Sequence, residues 1–430
     1  MRMFSWQIVG TEQPLIGPDQ RLSWARTGVM GLQHLIAMFG STVLAPILMG
    51  FDPNVAVLMS GFGTLLFFLI TAGRVPSYLG SSFAFIGVVI AATGYSGAGL
   101  NAHIAAALGG IIACGILYAL IGVCVHCFGA AWIDLLMPPV VTGAVVSAIG
   151  LNLAQVPIKN MVTNDFDVWM EVLTFVLVAI IAVFLRGIWQ RLMIVFGVIG
   201  AGAAYYLAAN VFGLSRVIDF SALSTAAWFG LPSFTHPSFD AHAITLIAPV
   251  AIILIAENLG HLKAVSAMTG QDMSRYTGRA FLADGLATVI SGSAGGTGVT
   301  TYAENIGVMA ATRIYSTAIF LVTSVLAITL GFCPKFGALL NLIPLPVMGG
   351  VSIVIFGIIA VAGARIWIDQ RVDFSDNRNL LIAGIALILG TGDFTVKLAG
   401  FSLSGIGTAT FSAIALHLLF RRCRLGDTYK

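Results

Sequence analysis

Long apolar runs separated by short polar connections extend from residue 27 to residue 420. A run of about 20 apolar residues is long enough to cross a bilayer as a helix. The pattern predicts fourteen membrane segments, at 27–49, 54–72, 80–95, 101–124, 137–155, 168–186, 192–213, 242–263, 279–292, 300–312, 314–333, 345–364, 379–392 and 402–420. The predicted fold class is therefore an all-α polytopic membrane protein.

Composition supports this interpretation. The 430 residues are 58 % hydrophobic and 9 % charged, with a mean hydropathy of +0.97. Soluble domains carry about 25 % charged residues, so the soluble globular class is excluded. No basic stripe suited to nucleic acid is present. Residues 1–26 are polar and mixed, without the layout of a cleavable signal, and are interpreted as a cytoplasmic tail.

The positions of Lys and Arg predict the orientation. Cytoplasmic connections of membrane proteins carry an excess of these residues. With the N-terminus inside, seventeen of the 21 fall inside, and Lys159, Arg216, Lys335 and Lys397 fall outside. An even number of segments places both termini in the cytoplasm, and residues 421–430 form a second tail. We expect the protein in the inner or plasma membrane.

A repeated motif relates segments five and twelve. PVVTGAVVSAIG at 139–150 and PVMGGVSIVIFG at 346–357 share the spacing of one proline and two glycines. The segments are seven apart, so the second copy enters the membrane in the opposite sense. Inverted repeats of this kind are typical of secondary transporters.

The same pairing aligns segments three and ten, which are both short and interrupted. Segment three begins PSYLGSSFAFIG, and segment ten follows the glycine-rich stretch SGSAGGTGVTTYAEN. Such segments in matching halves point to a binding site at the membrane midplane. Their extended parts are expected to pair as two short strands, because backbone at this depth must be hydrogen-bonded internally. Their half-helices would direct free N–H groups at a substrate.

Three carboxylates lie in this apolar region: Glu257, Asp284 and Glu304. A carboxylate at membrane depth is costly unless it is protonated, paired or facing water, so each is a functional candidate. His261 lies one helical turn after Glu257, on the same face. The combination indicates a proton-coupled transport site. Glu304 begins a half-helix, where the helix dipole favours an anion.

Two glutamates suit a small planar ligand with amide edges. An ionised carboxylate accepts from a ligand N–H, and a protonated carboxyl also donates to the neighbouring C=O. A diketo heterocycle such as uracil presents both groups. Phe83, in the interruption of segment three, would place its ring against the flat face of that ligand.

Each candidate also has a structural interpretation. Glu257 and His261 would form an ion pair between helices, Glu304 would cap its helix, and Asp284 would tie two helices together. Phe83 would be one of 28 phenylalanines packed in the core. Cys124 and Cys127 lack a second pair for a metal site. No catalytic, metal or cofactor set is predicted, and the proton is the expected coupling ion.

The motifs resemble the nucleobase–ascorbate transporter family. The segment from Glu304 to Arg313, ENIGVMAATR, fits its signature, and Gln33–His34 matches its paired Gln-His. GSSFAFI at 80–86, AENLGHL at 256–262 and IPLPVMGGVS at 343–352 are similar to bacterial uracil permeases. Within these, AENLGHLKAV and GGTGVTTYAENIGVM are most similar to the Rut-type pyrimidine permeases.

The resemblance implies fourteen spans in two inverted repeats of seven, divided into two domains. The core domain comprises 27–124 and 242–333, and the gate domain comprises 137–213 and 345–420. The resemblance further implies a homodimer with contacts through the gate domain. It also implies a site whose residues fall into three sets. Substrate binding is assigned to Glu257, Glu304, Phe83, Ala303, Tyr302 and Ser82; proton coupling to Glu257, His261 and Asp284; and support to His34, Gln33 and Asn305.

The expected function is proton-coupled import of a nucleobase, with uracil as the leading substrate and thymine or xanthine as further candidates. Movement of the core domain against the gate domain would expose the site alternately. Ala303 stands where uracil permeases usually have Gly, and Asp284 matches an acidic position of purine-transporting relatives. The alternatives are a purine permease, where Gln is frequent at position 304, an anion transporter of the same architecture, and an intramembrane hydrolase using Glu257 and His261.

Overall fold

The computed structural model describes residues 5–10, 12–95, 99–186, 190, 192–398, 401–403 and 405–427. The described chain is predominantly helical, with three two-stranded sheets. The helices are α1 Trp24–Met49, α2 Pro53–Ile70, α3 Ala84–Thr93, α4 Ile104–Phe128, α5 Ala131–Leu136, α6 Pro139–Leu153, α7 Gln155–Asn160, α8 Asp165–Phe184, α9 Met193–Tyr206, α10 Ser221–Thr225, α11 Ala241–Ile247, α12 Val250–Thr269, α13 Thr277–Ser293, α14 Ala303–Thr312, α15 Thr317–Gly331, α16 Pro334–Leu340, α17 Leu345–Asp369, α18 Asn377–Thr391 and α19 Gly405–Asp427. The strands are β1 Gln7–Ile8, β2 Gln20–Arg21, β3 Leu79–Ser81, β4 Val299–Thr301, β5 Val396–Leu398 and β6 Phe401–Leu403.

Several helices are suited to crossing a membrane. Among the described residues, eight helices are long and apolar enough, or nine if α15 and α16, bent by 85°, form one broken span. The helices α3, α18 and the apolar part of α19 are shorter. Each of the fourteen predicted segments contains a helix, and the number that cross the membrane stays a prediction. Segment eight is divided, because its helix is interrupted at Ala248 and Pro249 between α11 and α12.

The long helices pack in two groups. In the first group α4 lies along α13, and α15 packs against α1 and α2. In the second group α17 packs against α6 and α8, and α18 packs against α6 and α19. Small residues permit the closest of these approaches: a Cβ on Gly285 of α13 would lie 2.4 Å from the backbone N of Ala119 on α4. Between membrane helices, where no hydrophobic force operates, such contacts supply packing energy.

The two interrupted segments meet in an antiparallel strand pair, which confirms the predicted pairing. Leu79 of β3 lies opposite Thr301 of β4, and Ser81 lies opposite Val299. All six strand residues are buried. The strand pair supplies hydrogen-bond partners for backbone N–H and C=O groups that water does not reach. The strands lead into the two ten-residue helices α3 and α14, whose first turns lie close together.

The predicted N-terminal tail is docked on the helices. Strands β1 and β2 pair in parallel, and the side chains of Ile16 and Leu22 are 3 % and 4 % exposed. The N–H of Ile16 donates to the carbonyl of Arg313, and the N–H of Tyr315 donates to the carbonyl of Ile16. The tail therefore hydrogen-bonds the link between α14 and α15.

Both predicted tails differ from their predicted bounds. Helix α1 begins at Trp24, inside the range predicted as tail, and α19 continues to Asp427, beyond the predicted end of segment fourteen. In both cases the helix extends past the apolar run, because backbone hydrogen bonding does not require apolar side chains. Three basic residues used to predict orientation, Arg2, Arg191 and Lys430, lie outside the described residues.

Candidate functional site

A cavity of about 400 Å³ lies where the interrupted segments meet the second group of helices. One wall comes from the starts of α3 and α14 and from α12, and the opposite wall comes from α6 and α17. Seven predicted site residues line it: Ser82, Phe83, Glu257, His261, Tyr302, Ala303 and Glu304. The predicted residues that are absent from the lining are Asp284, Gln33, His34 and Asn305.

Glu304 enters the cavity from the first turn of α14. A carboxylate at this position is stabilised by the helix dipole and by unpaired N–H groups. The hydroxyl of Ser41, from α1, donates to Oε1 of Glu304. Ser41 is 1 % exposed, so the Glu304 carboxylate has a buried hydrogen-bond donor from α1.

Glu257 reaches the same cavity from α12. The Ser82 hydroxyl donates to its Oε2 across a long distance of 3.5 Å. The Ser82 hydroxyl also accepts from the N–H of Ala84, the first residue of α3, at 3.2 Å. One hydroxyl thus links the first half-helix to the carboxylate of α12.

His261 is hydrogen-bonded to the strand pair. Its Nδ1 lies 2.8 Å from Oγ1 of Thr301 in β4. The neighbouring Tyr302 is also fixed, since its hydroxyl donates to the carbonyl of Ser81 at 2.8 Å and accepts from Thr42 at 3.1 Å. These bonds fix the side chains of His261 and Tyr302 in the cavity lining. The predicted role of His261 in proton coupling stays a prediction.

Phe83 lines the cavity from the residue before α3. Its ring packs edge-on against Phe356 of α17, with the ring centroids 6.0 Å apart, and Phe356 is 1 % exposed. The lining residues of α17 are Ile359, Ala362, Arg365 and Ile366, which lie beyond Phe356 along the helix. Along α17, exposure therefore rises from the buried Phe356 to Arg365, whose side chain is 78 % exposed and lies toward the end predicted to be cytoplasmic.

Asp284 lies behind α12, outside the cavity lining. The amide of Asn258 donates to Oδ2 of Asp284 at 2.5 Å and to the Tyr118 hydroxyl at 3.1 Å. All three side chains are completely buried. This arrangement ties α4, α12 and α13 together, as in the structural interpretation of Asp284, and leaves its predicted role in coupling as a prediction.

The predicted supporting residues form a second tie behind α14. The amide of Asn305 lies 3.0 Å from Nδ1 of His34 and donates to the carbonyl of His34 at 3.1 Å. The ring of His34 packs edge-on against Phe320, at 4.9 Å. Gln33, the neighbour of His34 on α1, is partly buried. These hydrogen bonds join α1 to α14 at Asn305, the residue that follows Glu304.

Sequence reasoning missed three residues of the site: Ser41, Thr301 and Arg365. Ser41 lies in the middle of an apolar helix, where a serine is unremarkable. Thr301 is adjacent to the predicted Tyr302, and its contact with His261 depends on the strand pairing. Arg365 directly follows the predicted apolar segment 345–364, within α17, and was used only to predict orientation. No local signal relates it to the two glutamates.

Comparison with known proteins identifies the family. Residues 25–399 match the Xan_ur_permease model, described as Permease family. The chain belongs to this family. It is 60 % identical over 427 residues to RutG of Escherichia coli (strain K12), provisionally named a pyrimidine permease, covering 98 % of this chain and 97 % of that protein. It is 40 % identical over 423 residues to the uracil permease of Bacillus caldolyticus, covering 95 % of each chain.

A third relative is the uracil permease of Escherichia coli (strain K12), with 38 % identity over 418 residues and 94 % of each chain covered. The predicted membership of the nucleobase–ascorbate transporter family is thereby confirmed. The chain is a multi-pass membrane transporter of the uracil and pyrimidine permease type, and not an enzyme.

Solved structures show the same fold at low sequence identity. The murine Slc26a9 anion transporter in its inward-facing state superposes with a TM-score of 0.69 at 12 % identity, covering 95 % of this chain and 70 % of that one. The transmembrane domain of the cyanobacterial bicarbonate transporter BicA superposes with a TM-score of 0.62 at 15 % identity, covering 91 % and 98 %. These similarities concern the fold alone.

Proposed function

We propose that this protein is a proton-coupled symporter that imports uracil, with thymine or xanthine as further substrates. The observation that carries the proposal is the cavity itself. Two glutamates from different elements, Glu257 and Glu304, line one space together with the ring of Phe83. A volume of about 400 Å³ is within the range of small-molecule sites, roughly 300–1,000 Å³.

The carboxylates match the edges of a diketo heterocycle. An ionised Glu304 accepts from ligand N–H groups, helped by its position at a helix start. A protonated Glu257 also donates to a ligand carbonyl, so that binding depends on a proton. The apolar walls from α6 and α17 suit the flat faces of the ring. No cofactor is required for this chemistry.

The proposed architecture is fourteen spans in two inverted repeats. It is supported by the strand pair, which joins a three-residue strand and ten-residue helix from each half. The two packed groups of helices support the division into a core domain (27–124 and 242–333) and a gate domain (137–213 and 345–420). Alternating access would then move one group against the other. A homodimer through the gate domain is part of the same proposal.

The decisive experiment is transport by the purified protein in sealed vesicles. We expect labelled uracil to accumulate when an inward proton gradient is imposed, and a proton ionophore to abolish that accumulation. Accumulation that survives the ionophore and follows a sodium gradient would overturn the proton coupling. Unlabelled thymine, xanthine and bicarbonate serve as competitors in the same assay.

Two alternatives make different predictions in this assay. A purine permease would take up labelled xanthine in preference to uracil. An anion transporter would exchange bicarbonate, as the shared fold with BicA allows. The cavity disfavours the second alternative, because two carboxylates repel an anion unless both are neutral.

A further inference from the structure

A second recess lies along α9, apart from the cavity that holds the two glutamates. Its volume is about 390 Å³. One wall comes from positions 195–206 of α9, and the other comes from α1 and from positions 339–344. Ile218 and Phe220, from the connection that follows α9, also line it. We call this recess the α9 groove.

The α9 groove is apolar. Among the described residues that line it, the Tyr206 hydroxyl is the only polar side-chain group. An ordered water in a protein needs about two to four polar partners. The groove therefore offers water too few hydrogen bonds, and hydrocarbon is the medium that matches its walls.

The α9 groove is continuous with a surface that faces lipid. The span Met193–Val211, which contains α9, is the least buried of the candidate membrane spans in the described chain. Ile199 lines the groove and is 61 % exposed, and Leu207, one residue beyond the lining, is 52 % exposed. In a multi-pass membrane protein, exposed apolar side chains of a span contact acyl chains. Lipid therefore has direct access to the groove.

The length of the α9 groove matches one leaflet of a bilayer. Positions 195 and 206 are eleven residues apart on α9, which corresponds to about 16 Å along the helix axis. The hydrocarbon of one leaflet is about 15 Å thick, half of a core of roughly 30 Å. A single acyl chain thus spans the groove from end to end.

We propose that the α9 groove binds one acyl chain of a membrane lipid. The surrounding lipid tails are as apolar as the groove, so no hydrophobic force retains the chain there. Van der Waals packing against the two walls retains it instead. This inference goes beyond the proposed function and does not depend on the substrate or on the coupling ion.

The origin of the two walls favours a lipid over a second copy of the protein. Helix α9 packs against α8 and α17 of the second group, whereas α1 and α16 pack against helices of the first group. A second copy seated against both walls would resist movement of one group against the other. An acyl chain has many rotatable bonds and follows a change in the shape of the groove.

The test is photolabelling of the full-length protein in phosphatidylcholine vesicles. A small fraction of the phosphatidylcholine carries a photoreactive diazirine in its acyl chain, and mass spectrometry locates the label. Leu340 lines the groove and is 2 % exposed, so only a chain inside the groove reaches it. Val176, in the middle of α8, is 40 % exposed and reports contact with bulk lipid. We expect both residues to be labelled.

Variants that fill the groove separate bound lipid from bulk lipid. Gly202 lines the groove, and a Cβ there meets nothing within 4 Å. In Gly202→Leu, we expect the ratio of label at Leu340 to label at Val176 to fall about tenfold, which corresponds to about 1.4 kcal/mol of binding free energy. Ala203→Leu, at the next lining position, is a second filling variant.

The matched control is Gly384→Leu. Gly384 is an exposed glycine of α18 outside the groove lining, and a Cβ there also meets nothing within 4 Å. The ratio should stay as in the wild type. Because Val176 is measured on the same molecules, the ratio cancels differences in the amount of protein.

Three results would overturn the proposal. In the first, Val176 of the wild-type protein is labelled and Leu340 is not. In the second, both filling variants keep the wild-type ratio, so the chain reaches Leu340 by another route. In the third, Leu340 is labelled only when the protein is diluted to one copy per vesicle, which would assign the groove to a second copy. Failure of uracil uptake would overturn the proposed function and leave these results unchanged.

Discussion

The half-helices α3 and α14 share a backbone plan and differ in the side chains that they bring to the cavity. Each follows a three-residue strand and contains ten residues. The third residue after the strand is Ala84 in one and Glu304 in the other, and the second is Phe83 in one and Ala303 in the other. A large functional side chain from one half thus corresponds to a small one from the other.

Because the side chains at corresponding positions of α3 and α14 differ, two half-helices with similar backbones form an asymmetric site. One half-helix contributes the aromatic ring and the other the carboxylate. Alanine at the corresponding position leaves room for each. Glu257, which has no counterpart on either half-helix, comes from α12. The following predictions, from the largest expected effect to the smallest, test whether the two halves have separate roles.

Glu257→Gln should abolish accumulation while retaining binding. Glutamine keeps a donor and an acceptor but cannot carry the coupling proton. Equilibrium binding and gradient-driven uptake of uracil, measured on the same preparation, test this expectation. The matched control is Glu171→Gln, because Glu171 is a buried glutamate of α8 outside the cavity lining. If Glu257→Gln still accumulates uracil, the proton is carried elsewhere.

Glu304→Gln should weaken uracil binding by about 10- to 100-fold, since a hydrogen bond to a charged group contributes roughly 1.5–3 kcal/mol. It should also shift preference toward purines. Competition of labelled uracil by xanthine measures both effects. If this variant binds normally and fails only to accumulate, the roles of Glu304 and Glu257 are reversed.

Gly80→Ala should reduce stability by about 1–3 kcal/mol through overpacking. A Cβ at Gly80 would lie 2.5 Å from the Tyr302 ring and from Oγ1 of Thr42, and Tyr302 is held by hydrogen bonds. The control is Gly307→Ala on α14, where a Cβ meets nothing within 4 Å. Thermal unfolding in detergent compares the two variants. Equal melting temperatures would mean that the strand pair tolerates a side chain.

Phe83→Ala should weaken binding of the substrate by roughly tenfold while the protein stays folded. Stacking of a ring on a base contributes about 1–3 kcal/mol in nucleic-acid-binding proteins. Phe83→Tyr, which keeps the ring, is the control. If Phe83→Ala binds uracil normally, the ring serves only to pack against Phe356.

Both half-helices end on a residue with positive φ, which is glycine in α3 and arginine in α14. Removing the glycine from α3 should lower the stability of the protein, and introducing a glycine in α14 should raise it. Gly94 ends α3 with φ +64°, and a Cβ there meets nothing within 4 Å, so Gly94→Ala should cost about 1 kcal/mol in backbone strain. Arg313 ends α14 with φ +57°, and Arg313→Gly should gain a similar amount. Thermal unfolding measures both. Destabilisation by Arg313→Gly would show that the arginine side chain contributes more than its backbone strain costs.

The sequence by itself determined the helical class, the interrupted segments and seven of the residues that line the cavity. Apolar runs, glycine clusters and carboxylates in a hydrophobic context are local features, and the cost of burying them constrains the structure directly. Glu257, Glu304 and Phe83 were predicted on that basis and line one cavity. The pairing of the two extended stretches was also predictable, because unpaired backbone is costly in a bilayer.

Only the tertiary structure decided which residues meet across the chain. Ser41 contacts Glu304, and His261 contacts Thr301, through separations of 263 and 40 residues. The hydrogen bonds of Ile16 with the link between α14 and α15 and the presence of Arg365 in the cavity lining also depend on tertiary packing. Such contacts depend on how helices pack, and packing between apolar helices is set by small differences in shape that no local pattern encodes.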